Sequence, residues 1–247
     1  MKSANISSRN LPLLLVILSL ALYGIDFLVF GHTLDIAAGF LGNLAFLPIY
    51  VLFVTLVIER VIRERERKVI RQKLNMVIGL FFSEVGSDLL RNLTGFLDNP
   101  HDLIERLKVT DHWGNREFKD AAHFLAQWEQ KVNSRAGDMA CLRDYLVGKK
   151  GALLGLLENP NLLEHDEFTD LLWAVSHLLQ ELEARKTLTG LPDTDLDHLS
   201  GDILRAYTYL LREWLFYMKH LKSDYPYLYS LAVRMNPMDP EARPEVM

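Results

Sequence analysis

The chain has 247 residues, a formal net charge of −5 and one cysteine, Cys141. A single cysteine excludes an intrachain disulfide framework and fits a reducing compartment, and the length allows one or two domains. Residues 76–247 carry eighteen basic and twenty-seven acidic side chains, which excludes sequence-independent nucleic-acid binding, since that needs a basic face.

Residues 1–10 are a short leading segment containing Lys2 and Arg9. Residues 11–30, LPLLLVILSLALYGIDFLVF, form an apolar run of twenty. As a helix such a run reaches about 30 Å, the thickness of a hydrocarbon core. Pro12 suits its first turn, where a missing N–H costs nothing. A second apolar run extends over residues 36–58, with Pro48 placed to kink it. Together, residues 11–58 read as a two-helix transmembrane hairpin. No Lys or Arg occurs between the runs, whereas both flank them. Positive-inside bias then places both termini in the cytoplasm of a protein integral to the inner or plasma membrane.

Within this hairpin Asp26 is the one acidic residue of the first run; about 6 Å from the outer end by helical rise, it reads first as solvated at the interface and second as a pore-lining or ion-binding carboxylate. His32, Asp35 and Asn43 extend it into a polar cluster near an outer mouth. Gly39, Gly42 and Ala45 make a small-residue face for close helix packing.

Residues 59–68 include RERERK, six consecutive charges from Arg63 to Lys68. Charges in every direction around the axis leave a helix no apolar face. The segment therefore reads as a solvated helical neck, supported by the i,i+4 pairs Glu59–Arg63 and Glu64–Lys68. Arg60, Arg63, Arg65, Arg67, Lys68 and Arg71 are explained by positive-inside topology alone, with contact to anionic lipid headgroups as the second reading.

From residue 69 the pattern turns amphipathic. Ile70, Leu74, Val77, Phe81, Val85, Leu89, Leu93 and Phe96 recur at spacings of three and four, which predicts a helix to about Asp98. Gly79 and Gly86 lower its intrinsic stability but permit close contact. Further helices are expected over residues 102–108, 116–132, 138–158, 163–186, 196–221 and 225–233. Breaks fall at Asn99–Pro100, Gly114, Ser134–Gly137, Asn159–Pro160 and the TGLPDTD loop of residues 189–195. No stretch alternates as a strand does. Residues 69–235 therefore read as a cytosolic all-α bundle, and residues 236–247 as a Pro-rich extended tail.

The chemistry-bearing patterns are sparse. Asp195 with His198, and the EHDE run of residues 164–167, contain ligand types. First-turn acids at helix starts explain both more simply. Gly151 and Gly155 read as a small-residue helix contact. The aromatic stripe Tyr207, Trp214, Tyr217, Tyr225, Tyr227 and Tyr229 reads as core or interface. No Gly-rich phosphate loop or nucleophile elbow occurs. Catalytic residues, a metal and a cofactor are not expected, nor is an enzyme.

The expected protein is thus a membrane-anchored helical scaffold that self-associates and holds an acidic domain at the inner surface of a lipid bilayer. Its protein partner is unspecified. The alternative is an oligomeric ion channel or membrane sensor, with the Asp26 cluster as a charged ring.

Overall fold

The computed structural model describes residues 17, 21, 24, 25, 27, 28, 33–128, 131–159, 162 and 166–246; for residues 33–38, 41, 42, 44–49 and 71 it describes the backbone alone. Helices dominate, and the one β-feature among the described residues is an isolated antiparallel bridge between Leu97 and Val132. The chain divides into two compact units, Met1–Glu66 and Arg67–Met247.

The first unit contains the beginning of α1, a helix of 49 residues over Thr33–Phe81. It passes through Pro48 and continues unbroken into the charged stretch. Arg63 pairs with Glu59 at 3.1 Å as expected, while Glu64 takes Arg60 at 3.0 Å. All four side chains are exposed, so each pair contributes only a few tenths of a kcal/mol, about 0.3–0.5.

No helix among the described residues is long and apolar enough to cross a membrane. This overturns the expected two-span integral membrane protein with cytoplasmic termini. Apolar length was the whole warrant for that expectation. The second apolar run does not stand as an element of its own. It is the front part of a helix that goes on through Glu59, Arg60, Arg63 and Lys68. Of the first run, only Ile17, Ala21, Gly24, Ile25, Phe27 and Leu28 are described, each helical and exposed.

The second unit is built on a hydrophobic core that begins at Leu74 and Ile78 near the end of α1. A π-helical turn over Phe82–Gly86 follows, then α2, Ser87–Thr94. The sequence predicts one uninterrupted helix here. The π turn inserts an extra residue per turn, which brings the consecutive rings of Phe81 and Phe82 both into the core. Phe81 meets Phe168 edge-on at 5.4 Å, and Phe82 stacks on Tyr217 at 5.0 Å. The altered backbone is held by side chains: Ser87 Oγ donates to the Phe82 carbonyl and Tyr145 Oη to that of Val85, each at 2.8 Å.

Then come α3, His101–Leu107; α4, Asn115–Ala126; and α5, Met139–Leu157. The start of α4 is fixed by the Glu117 carboxylate, which accepts the Gly114 N–H at 2.7 Å. At α5 the Asp138 side chain accepts the Cys141 N–H at 2.9 Å, an N-cap. Gly148, Gly151 and Gly155 of α5 face open space, so the helix contact expected of Gly151 and Gly155 is not made among the described residues.

The domain's largest helical pair is α6, Asp166–Ala184, with α7, Asp193–Asp224. Pro192 in extended conformation and Gly190 at φ +70° turn the chain between them. Each helix presents a nearly continuous apolar face: Phe168, Leu171, Val175, Leu178 and Leu182 on α6, and Leu199, Ile203, Ala206, Leu210 and Trp214 on α7. The last helix is α8, Pro226–Arg234, with Pro226 in its first turn. Beyond it, Asn236 and Met238 are buried. Their segment is therefore docked on the domain.

Candidate metal centre

An antiparallel hairpin brings together residues equidistant from its turn. The Thr189–Gly190 bond is the centre for two such pairs, His177 with Asp202 and Glu181 with His198. The local sequences are HLLQE over residues 177–181 and HLSGD over residues 198–202. Each places a histidine and a carboxylate four residues apart, hence on one helix face. Antiparallel packing of α6 on α7 then sets the two faces against each other.

One ligand atom from each of the four residues lies within 4.8 Å of every other. His177 Nε2 is 3.8 Å from Glu181 Oε1 and 3.6 Å from Asp202 Oδ2. His198 Nε2 is 3.7 Å from Glu181 Oε2 and 3.2 Å from Asp202 Oδ2. Four donors around a zinc-sized ion, at metal–ligand distances of about 2.0–2.1 Å, are about 3.3–3.4 Å apart when tetrahedral and about 2.9 Å apart along the edges of a square. The four separations around the ring His177, Glu181, His198 and Asp202, from 3.2 to 3.8 Å, lie nearer the tetrahedral edge than the square one.

Burial is graded across the cluster. Asp202 is 2% exposed, whereas the side chains of His177 and His198 are 44% and 52% exposed. Leu199 and Ile203, both fully buried, hold Asp202 against α6. Its Oδ1 accepts from Arg205 Nη1 at 2.9 Å. Its buried Oδ2 has no hydrogen-bond partner among the described residues. That oxygen lies at ion-pair distance from both imidazoles, so they are the groups able to offset its burial, directly or through a shared cation.

Glu181 is held from the other side. Arg185 Nη1 donates to Glu181 Oε2 at 2.7 Å, and the same guanidinium grips Asp195 through Nη2 at 2.6 Å and Nε at 3.0 Å. The Arg185 hydrogen bond keeps both carboxyls below the usual carboxylate range and raises the guanidinium above its own.

The sequence reading singled out His198 but paired it with Asp195, which the structure gives to Arg185. It passed over His177, Glu181 and Asp202. The available signal was the repeated His-x-x-x-acid spacing, mirrored about a predicted loop. Of the EHDE run, Asp166 and Glu167 open α6, and residues 164 and 165 lie outside the described residues.

The other expected site residues are scattered. Asp26 and His32 lie outside the described residues. Asp35, Gly42 and Ala45 are helical, with their side chains undescribed, and Asn43 and Gly39 are exposed on α1. Arg60, Arg63, Arg65, Arg67 and Lys68 are exposed, and the Arg71 side chain is undescribed. Of the aromatic stripe, Tyr207, Trp214 and Tyr229 are core. A groove lined by Phe82, Trp214, Tyr217, Leu228 and Leu231 is edged by Asp88 and Arg91, which bond each other at 2.8 Å.

Fold and cluster together define an all-helical protein with a candidate metal centre on a helical hairpin. The chain belongs to the MJ1433 family. Residues 70–234 match the model described as "Uncharacterized protein MJ1433, C-terminal helical domain", and residues 4–62 match "MJ1433, N-terminal helical domain". The chain is 46% identical over 226 residues to "Uncharacterized protein MJ1433" of Methanocaldococcus jannaschii, which covers 91% of this chain and 90% of that relative. No solved structure matches the chain. All four ligand candidates fall in the part matched as the C-terminal domain.

Proposed function

We propose that the C-terminal helical domain is a metal-binding module in which one divalent cation clasps α6 to α7. The observation that carries this reading is the convergence of two imidazole nitrogens and two carboxylate oxygens within 4.8 Å, one of those oxygens buried and without a hydrogen bond among the described residues. A dication balances the two carboxylates and satisfies that oxygen. All four donors come from the protein, and a closed donor set is the habit of a structural site rather than a catalytic one. The module therefore acts by binding and by fixing shape, as an acidic helical interaction domain. Ion conduction is not proposed, because it needs membrane spans.

A second reading has its own observation. The 3.2 Å separation of His198 Nε2 from Asp202 Oδ2 also suits a protonated imidazole, so that a proton would replace the metal. Calorimetric titration of chelator-treated full-length protein separates the two. One equivalent of bound metal in the wild type, lost in the double variant His198→Ala, Asp202→Asn, supports the clasp. No binding by the wild type leaves the proton-bridged cluster.

A further inference from the structure

The ligand separations alone do not choose the ion. Six oxygens around Ca2+ at about 2.4 Å are also about 3.4 Å apart. The choice comes from how the carboxylates are held. Asp202 has one oxygen on Arg205 and the other facing the imidazoles. Glu181 has Oε1 toward His177 and Oε2 shared between Arg185 and His198. Each carboxylate thus has one oxygen already engaged by a guanidinium, which disfavours bidentate ligation.

Resting on the metal reading above, we propose that Arg185 and Arg205 make this site selective for a tetrahedral, nitrogen-accepting ion of the Zn2+ and Co2+ type, and against Ca2+ and Mg2+. The argument is one of donor count and donor type. Calcium takes six to eight oxygens and favours bidentate carboxylates. Here a cation meets two nitrogens and two carboxylates that each have one oxygen held by a guanidinium. Magnesium needs octahedral oxygen coordination and keeps its waters. Imidazole pairs suit zinc and its neighbours. Each guanidinium also orients its carboxylate, as outer hydrogen bonds do around metal sites generally. Arg205 and Arg185 are positioning residues in this scheme, since neither touches the ion.

The test uses Co2+ as a spectroscopic stand-in on chelator-treated full-length protein. The wild type is expected to take one Co2+ with the intense visible bands of tetrahedral coordination. Zn2+ should remove those bands stoichiometrically, and a hundredfold excess of Ca2+ or Mg2+ should leave them. Arg205→Gln is expected to weaken Zn2+ binding by about 10- to 100-fold and to narrow the preference for Zn2+ over Ca2+. Arg205→Lys, which restores a single cationic donor, should recover the wild-type spectrum. Weak six-coordinate bands in the wild type, displacement by Ca2+, or unchanged selectivity in Arg205→Gln would each overturn the selectivity proposal while the metal reading stands. Absence of any bound ion removes both.

Discussion

His177 lies seven residues before the end of α6 and Asp202 nine residues after the start of α7, yet their side chains meet across the hairpin, His177 Nε2 lying 3.6 Å from the buried Asp202 Oδ2. The contact exists because the TGLPD turn sends α7 back along α6 in a register that pairs 177 with 202 and 181 with 198. A clasp at this point acts on the largest helix–helix interface of the domain.

Metal should therefore stabilise the fold measurably. A cation present at a hundred times its dissociation constant adds about 2.7 kcal/mol, and each kcal/mol moves the melting point of a protein this size by about 2–4 °C. Zn2+ is expected to raise the wild-type melting temperature by roughly 5–10 °C, and chelator to reverse it. Asp202→Asn should abolish the shift while changing the melting point in chelator only slightly. Differential scanning calorimetry with and without chelator checks both parts.

Glu213 gives a pH prediction independent of the metal. It sits on α7 with 2% exposure, and its Oε2 has no hydrogen-bond partner among the described residues. Burial, reinforced by the charge of Glu167, pushes its carboxyl up to about 7 from an ordinary 4.5. Between those values the folded protein holds a proton that the unfolded chain has lost, so stability falls as pH rises through that window. The span corresponds to about 3 kcal/mol. Urea unfolding in chelator should show wild-type stability declining from pH 5 to pH 8 more steeply than that of Glu213→Gln. Equal slopes would refute the assignment.

Much of the architecture was legible in the sequence, and the reasons are physical. Spacings of three and four around Leu74, Phe81, Leu89 and Leu93 mark a helix face that is buried. Pro and Gly punctuation places the breaks near Asn99, Gly114, Asn159 and Gly190. The π turn was not legible, because it is set by tertiary partners: Tyr145 and Tyr217 stand 60 and 135 positions away. The candidate metal cluster was legible at one residue of its four. His198 attracts notice alone; Asp202 follows it on the same helix, but His177 and Glu181 belong to another, and only the hairpin register joins the two pairs. The membrane reading failed for the opposite reason, since it rested on local composition with no tertiary information.

Two glycines that look alike in the sequence should behave differently. A Cβ on Gly79 would lie 3.6 Å from Tyr217 Cε2, an ordinary contact, whereas a Cβ on Gly86 would fall within 2.5 Å of Phe82 Cδ1 and 2.7 Å of Phe81 Cε1. Gly79→Ala should stabilise by up to about 1 kcal/mol through helix propensity. Gly86→Ala must displace two core rings, and overpacking of this kind costs about 1–3 kcal/mol. Chemical denaturation of the two variants, read side by side, tests the difference in sign.

The docked C-terminal segment depends on one buried amide. Asn236 Nδ2 donates to the Leu107 carbonyl at 3.2 Å, and its Oδ1 accepts the Met238 N–H at 2.9 Å. One side chain thus closes the end of α3 and fixes the turn that buries Met238. Lys108, next to that carbonyl, reaches Asp239 at 3.0 Å, but both partners are partly solvated and add little. Asn236→Ala should strand the Leu107 carbonyl and the Met238 N–H, costing about 1–3 kcal/mol. Lys108→Ala should change stability by less than about 1 kcal/mol. Hydrogen exchange gives the sharper readout. If Asn236 is the anchor, its alanine variant exposes the Met238 amide to fast exchange while the α6–α7 core stays protected, and Lys108→Ala leaves both unchanged.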